Sequence, residues 1–141
     1  MFIKNISLAR WSAISFALLI IAGSSVPGKN IPKAFELTPD KLIHCAEYFV
    51  FGYLLFNWAT VEFATQQSRT VLITLLLGSL MGVIDENYQR LTPGRTPDFW
   101  DWVLDTIGII LAIGFTKFLT WKKTVLIKKA PYSESLYAFL M

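Results

Sequence analysis

Four long apolar stretches, separated by short polar connections, decide most of what this 141-residue chain can fold into. They run from about Ala9 to Val26, Lys41 to Trp58, Thr70 to Tyr88 and Phe99 to Trp121. Each is close to the ~20 residues that an α-helix needs to cross ~30 Å of hydrocarbon. A lone strand in lipid leaves its backbone groups unpaired, so each stretch must be a helix. Trp11, Trp58, Trp100, Trp102 and Trp121 fall near the ends of the stretches, where indole rings settle at a membrane–water interface. Composition points the same way. Hydrophobic residues make up 54% and charged residues 16%, against roughly 25% charged in an average soluble domain. The expected fold class is all-α: an integral membrane four-helix bundle of four transmembrane helices joined by short loops.

The connections carry turn chemistry. Pro27 to Pro39 is rich in Pro, Gly, Lys and Asn, Glu62 to Arg69 is polar, and Leu91 to Pro97 holds two prolines and a glycine, the mark of a tight hairpin. The chain divides into a short N-terminal segment (1–8), a four-span membrane domain (9–121) and a basic tail (122–141). The first stretch has a leader-like aspect, with Lys4 and Arg10 before it and small residues Ala22-Gly23-Ser24-Ser25 near its end. It is long for the apolar core of a leader, and three more spans follow, so it reads as a retained span.

Basic residues set the orientation. With four spans, both termini share a side, which holds Lys4, Arg10, Arg69, Lys117, Lys122, Lys123, Lys128 and Lys129. The other side holds Lys29, Lys33, Lys41, Arg90 and Arg95. The excess places both termini in the cytoplasm. The net charge of +3 is therefore no sign of nucleic acid as a partner, because the tail lysines beside an apolar segment read as an anchor to anionic lipid. The single cysteine, Cys45, excludes an internal disulfide and reads as a packing residue.

The acids do not follow the lysines. Glu36, Asp40, Glu47, Asp85, Glu86, Asp98, Asp101 and Asp105 all fall in the outer half; only Glu62 and Glu134 do not. Asp40, His44 and Glu47 are spaced i, i+4, i+7 on one helical face. Asp85 and Gln89 are i, i+4, with Glu86 beside them, and Gly82 and Gly78 continue the Asp85 stripe as a G-x-x-x-G that lets another helix approach. Asp98, Asp101 and Asp105 are i, i+3, i+7, followed by Gly108 and Ala112. At 1.5 Å per residue, Glu47 and Asp105 lie roughly 10 Å below their helix starts. A carboxylate facing lipid at that depth costs a few kcal/mol, so these groups must face the bundle interior or a water-filled cavity.

These segments resemble the VanZ-like family. The resemblance rests on Asp40-Lys41-Leu42-Ile43-His44 (D-K-x-x-H), Asp85-Glu86-Asn87-Tyr88-Gln89 (D-E-x-x-Q), Pro93-Gly94-Arg95 (P-G-R) and Asp101 with Asp105 and Gly108 (D-x-x-x-[ND]-x-x-G), in that order. It covers roughly residues 10 to 120. Asp105 stands where many members carry asparagine, which adds one acid. The resemblance implies a four-span protein of the bacterial cell envelope, related to proteins of glycopeptide-antibiotic resistance. It supplies architecture and setting rather than a reaction.

Each candidate has two readings. His44 is a metal ligand or general base, or it is hydrogen-bonded to a carboxylate on another helix as bundle glue. Asp85, Glu86, Asp101 and Asp105 hold a divalent cation through oxygens, share protons as acid and base, or make helix–helix hydrogen bonds. Asp98 reads as the N-cap of the fourth helix. Arg95 clamps a phosphate or carboxylate, or makes a salt bridge to Glu86 or Asp101. Gln89 contacts a substrate or makes an interhelical hydrogen bond, and Arg90 is an interfacial anchor. The expected arrangement is an outward-facing polar pocket lined by His44, Asp85, Glu86, Gln89, Arg95, Asp101 and Asp105, in which the histidine and acids are the catalytic candidates and Arg95 and Gln89 the substrate-binding ones. Its expected occupant is an anionic lipid-linked or cell-wall substrate, with a divalent cation as a possible cofactor. The competing class is a structural or partner membrane protein whose polar network fixes helix packing. A proton or ion pathway is disfavoured, since the inner halves offer little beyond Thr74, Ser79 and Thr116.

Overall fold

The computed structural model describes residues 5–30, 40–63 and 67–129, with the side chains of Asp40 and of residues 127–129 left aside. Lys4, Lys33, Glu36 and Glu134, and the tail from residue 130 onward, lie outside the described residues. Among the described residues the chain forms four α-helices and one 3₁₀ turn at Gly28–Asn30. The helices are α1 (Ile6–Ser24), α2 (Asp40–Phe63), α3 (Gln67–Gln89) and α4 (Phe99–Lys129). All four apolar stretches are helical as expected. The helices start at or before the apolar limits, and all but α1 end beyond them, most of all α4, which continues through Lys122 and Lys123 to Lys129.

Three helices, α1, α3 and α4, are long and apolar enough to cross a membrane, which makes this a multi-pass membrane protein. Helix α2 has the length, 24 residues, but is not among those three. Its place in the bundle gives the reason. It packs against all three other helices, and its most extensive partner is α4. A helix enclosed on so many sides can carry His44, Glu47 and Asn57 without presenting them to lipid.

The bundle is inside out relative to a soluble one. The buried stripe of α3 is Thr70, Thr74, Gly78, Gly82, Asp85, Glu86 and Gln89, while Leu72, Leu76, Leu80 and Ile84 are exposed. Small and polar residues inside and large apolar ones outside are what lipid demands. The apolar core, built on Ile20, Tyr48, Phe51, Leu55, Phe56, Ile109 and Ile113, lies between α1, α2 and α4. Glycines set the helix spacing. A Cβ at Gly108 would stand 2.4 Å from the Cys45 carbonyl oxygen and 2.9 Å from the Phe49 nitrogen, so α4 lies almost on the backbone of α2. Gly78 and Gly82 meet Ile109, Trp102 and Asp105 of α4, the close approach that their spacing predicts.

Ion pairs and hydrogen bonds fix an up-and-down order. Arg10 near the start of α1 pairs with Glu62 at the end of α2 at 2.7 Å. At the other end of the bundle, Lys41 of α2 pairs with Asp98, just before α4, at 2.8 Å. The hairpin between α3 and α4 turns at Thr92-Pro93-Gly94-Arg95, where the Arg95 N–H donates to the Thr92 carbonyl at 3.1 Å. Pro in the second place and Gly94 in the third, at φ +78°, suit a type II turn. The Pro27-Gly28 segment docks on this turn through Gly28 N–H to the Pro93 carbonyl at 3.1 Å. A side chain at Gly28 would collide with the Gly94 carbonyl.

Candidate functional site

Four helix ends meet where the acids gather: the last residue of α1, the first turns of α2 and α4, and the last turn of α3. At their centre are His44, Asp85, Glu86, Asp101 and Asp105, all buried. Asp105 is fully enclosed and Asp85 is 1% exposed, so neither faces lipid. The interior placement required of these carboxylates by their depth is met.

Each group is held by a partner on another element. Asp105 Oδ1 lies 3.0 Å from His44 Nδ1, across the α2–α4 seam. A carboxylate accepting from one ring nitrogen fixes the orientation of an imidazole, the arrangement found behind histidines that bind metal or move protons. Asp85 accepts from the Ser24 hydroxyl of α1 at 2.5 Å. Glu86 Oε2 accepts from the Asp98 N–H at 2.9 Å, which ties the end of α3 to the start of α4. Glu47 is half-buried on the same face of α2 and lies within electrostatic reach of His44, Asp85 and Asp105.

Two buried carboxylate oxygens are left over. Glu86 Oε1 and Asp105 Oδ2 have no hydrogen-bond partner among the described residues. No lysine or arginine among the described residues pairs with Asp85, Glu86 or Asp105. Lys41 is engaged at the rim, with Asp98 at 2.8 Å and Asp101 at 3.3 Å. One ligand atom each from His44, Asp85 and Glu86 falls within 4.8 Å of the others.

The rim departs from expectation in one place. Arg95 makes no salt bridge to Glu86 or Asp101. Its guanidinium instead reaches the end of α1, with Nε 3.3 Å from the Val26 carbonyl and a terminal nitrogen 3.5 Å from the Gly23 carbonyl. A cation suits those carbonyls because the last turn of a helix leaves them without amide partners. Gln89 is buried one turn from Asp85 on its own helix, within electrostatic reach of that carboxylate. Asp98 does what its position predicts: its Oδ1 accepts from the Trp100 N–H at 2.9 Å, capping α4. Lys41 beside it holds the Asp98 carboxyl below the usual carboxylate range, aided by the cap.

A sequence model of the VanZ/LLP1 family matches residues 2–120. The chain belongs to the VanZ/LLP1 family. The match takes in α1, α2, α3 and most of α4, so the whole cluster lies inside the family domain. No curated protein and no solved structure matches the chain. Within the family's motifs, the structure brings together the histidine of D-K-x-x-H, both acids of D-E-x-x-Q and both aspartates around the start of α4. The arginine of P-G-R turns to α1 instead.

Sequence reasoning did not single out Ser24 as a site residue. It belongs to no acidic stripe and sits at the end of an otherwise apolar helix. The only signal was a small polar residue at the level where the acids of the other helices lie. Tyr48 was also missed. It is fully buried one turn below His44, and its hydroxyl has no partner among the described residues. Among the described residues the inner half shows no polar chain. Thr74 and Thr116 donate to carbonyls of their own helices, Thr70 and Ala112, at 2.8 Å each.

Proposed function

We propose that this VanZ/LLP1 protein crosses the bacterial cytoplasmic membrane four times, with both termini in the cytoplasm, and uses the His44 cluster on the outer side to bind or act on an anionic lipid-linked or cell-wall substrate. Helix α2 is the fourth span in this reading. Its 24 residues reach about 36 Å, and its contacts with every other helix support its running the length of the bundle. The lysine-rich end of α4 and Arg69 support the assignment of the cytoplasmic side.

One observation carries the proposal. Four buried carboxylates and a histidine converge from three helices, yet two of their oxygens have no hydrogen-bond partner among the described residues. A network built only as packing glue leaves no buried acceptor unmatched, because each one weakens the fold by about 1–3 kcal/mol. Destabilising clusters of this kind are retained where function needs them. In this reading His44 and one acid move a proton, Asp105 orients the imidazole, and Arg95 with Gln89 bounds the approach from the rim.

The family's link to glycopeptide resistance supplies the test. The wild-type chain expressed in a susceptible bacterium is expected to raise the inhibitory concentration of a glycopeptide. Asp85→Asn, His44→Gln and Arg95→Ala are expected to abolish the rise while accumulating in the membrane at wild-type levels. Equal susceptibility with and without the wild-type chain overturns the envelope role. Full protection by all three variants overturns the assignment of the site.

A further inference from the structure

We infer that His44, Asp85 and Glu86 form a binding site for one divalent transition-metal ion of the zinc or manganese class. The inference deepens the functional reading above by giving its cluster a chemistry, and it can be tested without any activity.

Geometry comes first. The three residues come from α2 and α3, and one ligand atom of each lies within 4.8 Å of the other two. Three ligands on one ion stand at most about 3.6 Å from one another, √3 times a bond of ~2.1 Å. A contraction of at most about 1.2 Å therefore closes the site, a movement that rotation of the long Glu86 side chain and its neighbours supplies. All three residues are buried, unlike the exposed acidic groups that gather on surfaces with no ion between them.

The unmatched oxygen is the second and independent observation. Glu86 Oε2 accepts from the Asp98 N–H, and its other oxygen, Oε1, is buried without a hydrogen-bond partner among the described residues. A cation gives that oxygen what the protein does not. It also balances charge, since no lysine or arginine among the described residues pairs with Asp85 or Glu86. Two carboxylates and a neutral imidazole carry the charge that one dication neutralises.

Outer contacts already orient each ligand. Asp105 holds His44, Ser24 holds Asp85 and the Asp98 N–H holds Glu86. Ligands of metal sites are fixed in this way by partners one shell out. The donor set selects the ion. One nitrogen and carboxylate oxygens, without thiolate, favour Zn²⁺ or Mn²⁺ over Ca²⁺ and Mg²⁺, which prefer all-oxygen shells, and over copper(I), which prefers sulfur. Three protein ligands leave at least one position on the ion for water or for an oxygen of an anionic substrate.

The test uses the full chain purified in detergent, stripped with a chelator, incubated with Zn²⁺ or Mn²⁺ alone, gel-filtered and analysed for metal. About one ion per chain is expected with at least one of the two metals. His44→Gln and Glu86→Gln are expected to retain about tenfold less or lower still, and Glu62→Gln, at the far end of the bundle, to retain as much as wild type. Elution volume and helical circular dichroism report folding. If His44→Gln does not fold, Glu86→Gln carries the comparison, since its amide oxygen still accepts from Asp98. Wild type that retains neither metal overturns the site, as does full retention by Glu86→Gln. Retention of Ca²⁺ or Mg²⁺ in preference to both overturns the class of ion. Metal bound without glycopeptide protection leaves this inference standing and removes the functional reading. Protection without bound metal does the reverse.

Discussion

The two ends of the bundle treat charge in opposite ways. At one end, Arg10 forks onto both oxygens of Glu62, with contacts of 2.7 and 3.2 Å, and the Trp58 indole donates to the same carboxylate at 3.0 Å. Every strong acceptor there is matched, and the pair stands in the open. At the other end, Asp85, Glu86 and Asp105 are buried, their donors are a hydroxyl, a backbone amide and an imidazole, and two oxygens are unmatched among the described residues. The first arrangement suffices to join two helices. The second holds more acid than joining helices requires. On the reading proposed above, the difference is that between a fastening and a site.

The comparison can be broken most severely at the seam that builds the cluster. Gly108→Ala places a methyl against the backbone of α2 and must push α4 away. It is expected to cost about 3 kcal/mol in detergent unfolding and to lower metal retention. Gly114→Ala, on the same helix with nothing near its Cβ, is expected to leave both unchanged. Equal behaviour of the two would mean that the cluster does not depend on close approach of α4.

Next in size is the Asp105 contact. Asp105→Ala leaves His44 without the partner at Nδ1 and is expected to cost about 1–3 kcal/mol. A smaller change in the opposite direction separates site from fastening more sharply. In chelator-treated protein, Glu86→Gln removes a buried carboxylate with an unmatched oxygen and keeps an acceptor for the Asp98 N–H. It is expected to raise stability by about 1 kcal/mol, whereas Glu62→Gln, which breaks a fully matched pair, is expected to lower it. Thermal unfolding of both variants checks the signs. A fall for Glu86→Gln would place the cluster with the fastenings.

The smallest effect belongs to the rim. Lys41 and the cap hold the Asp98 carboxyl below the usual carboxylate range. The folded chain thus binds that proton more weakly than the unfolded one. The resulting stabilisation is complete at pH well above the ordinary value of about 3.9 and is lost as pH falls through the lower, folded value. The stability difference between wild type and Asp98→Asn should accordingly be present near neutrality and vanish in strong acid. The exposure of the pair keeps the difference small and sensitive to salt.

Much of this arrangement is legible in the chain. Apolar length gives the four helices, and the spacing of Asp40, His44 and Glu47, of Asp85 and Gln89, and of Asp98, Asp101 and Asp105 gives the faces that carry polar groups. The capping by Asp98 is local chemistry and can be read from its position before Phe99. Gly78, Gly82 and Gly108 announce close approach. The choice of partners is another matter. Ser24 bonds Asp85 across 61 residues of sequence, and Arg95 reaches back 72 residues to the Gly23 carbonyl. Periodicity fixes which face of a helix is polar but not how two helices are rotated or offset against each other.

The sequence by itself thus determined that this is a multi-pass helical protein with its acids gathered at one end and turned inward. Both follow from the cost of exposing backbone and charge to lipid, which acts on each helix separately. Only the tertiary structure decided that Lys41 serves Asp101 and Asp98, that Arg95 serves the end of α1, and that Glu86 Oε1 and Asp105 Oδ2 are served by nothing among the described residues. Those assignments depend on distances between helices that no single helix encodes. They turn a band of acids into a cluster in which two buried oxygens are unmatched among the described residues.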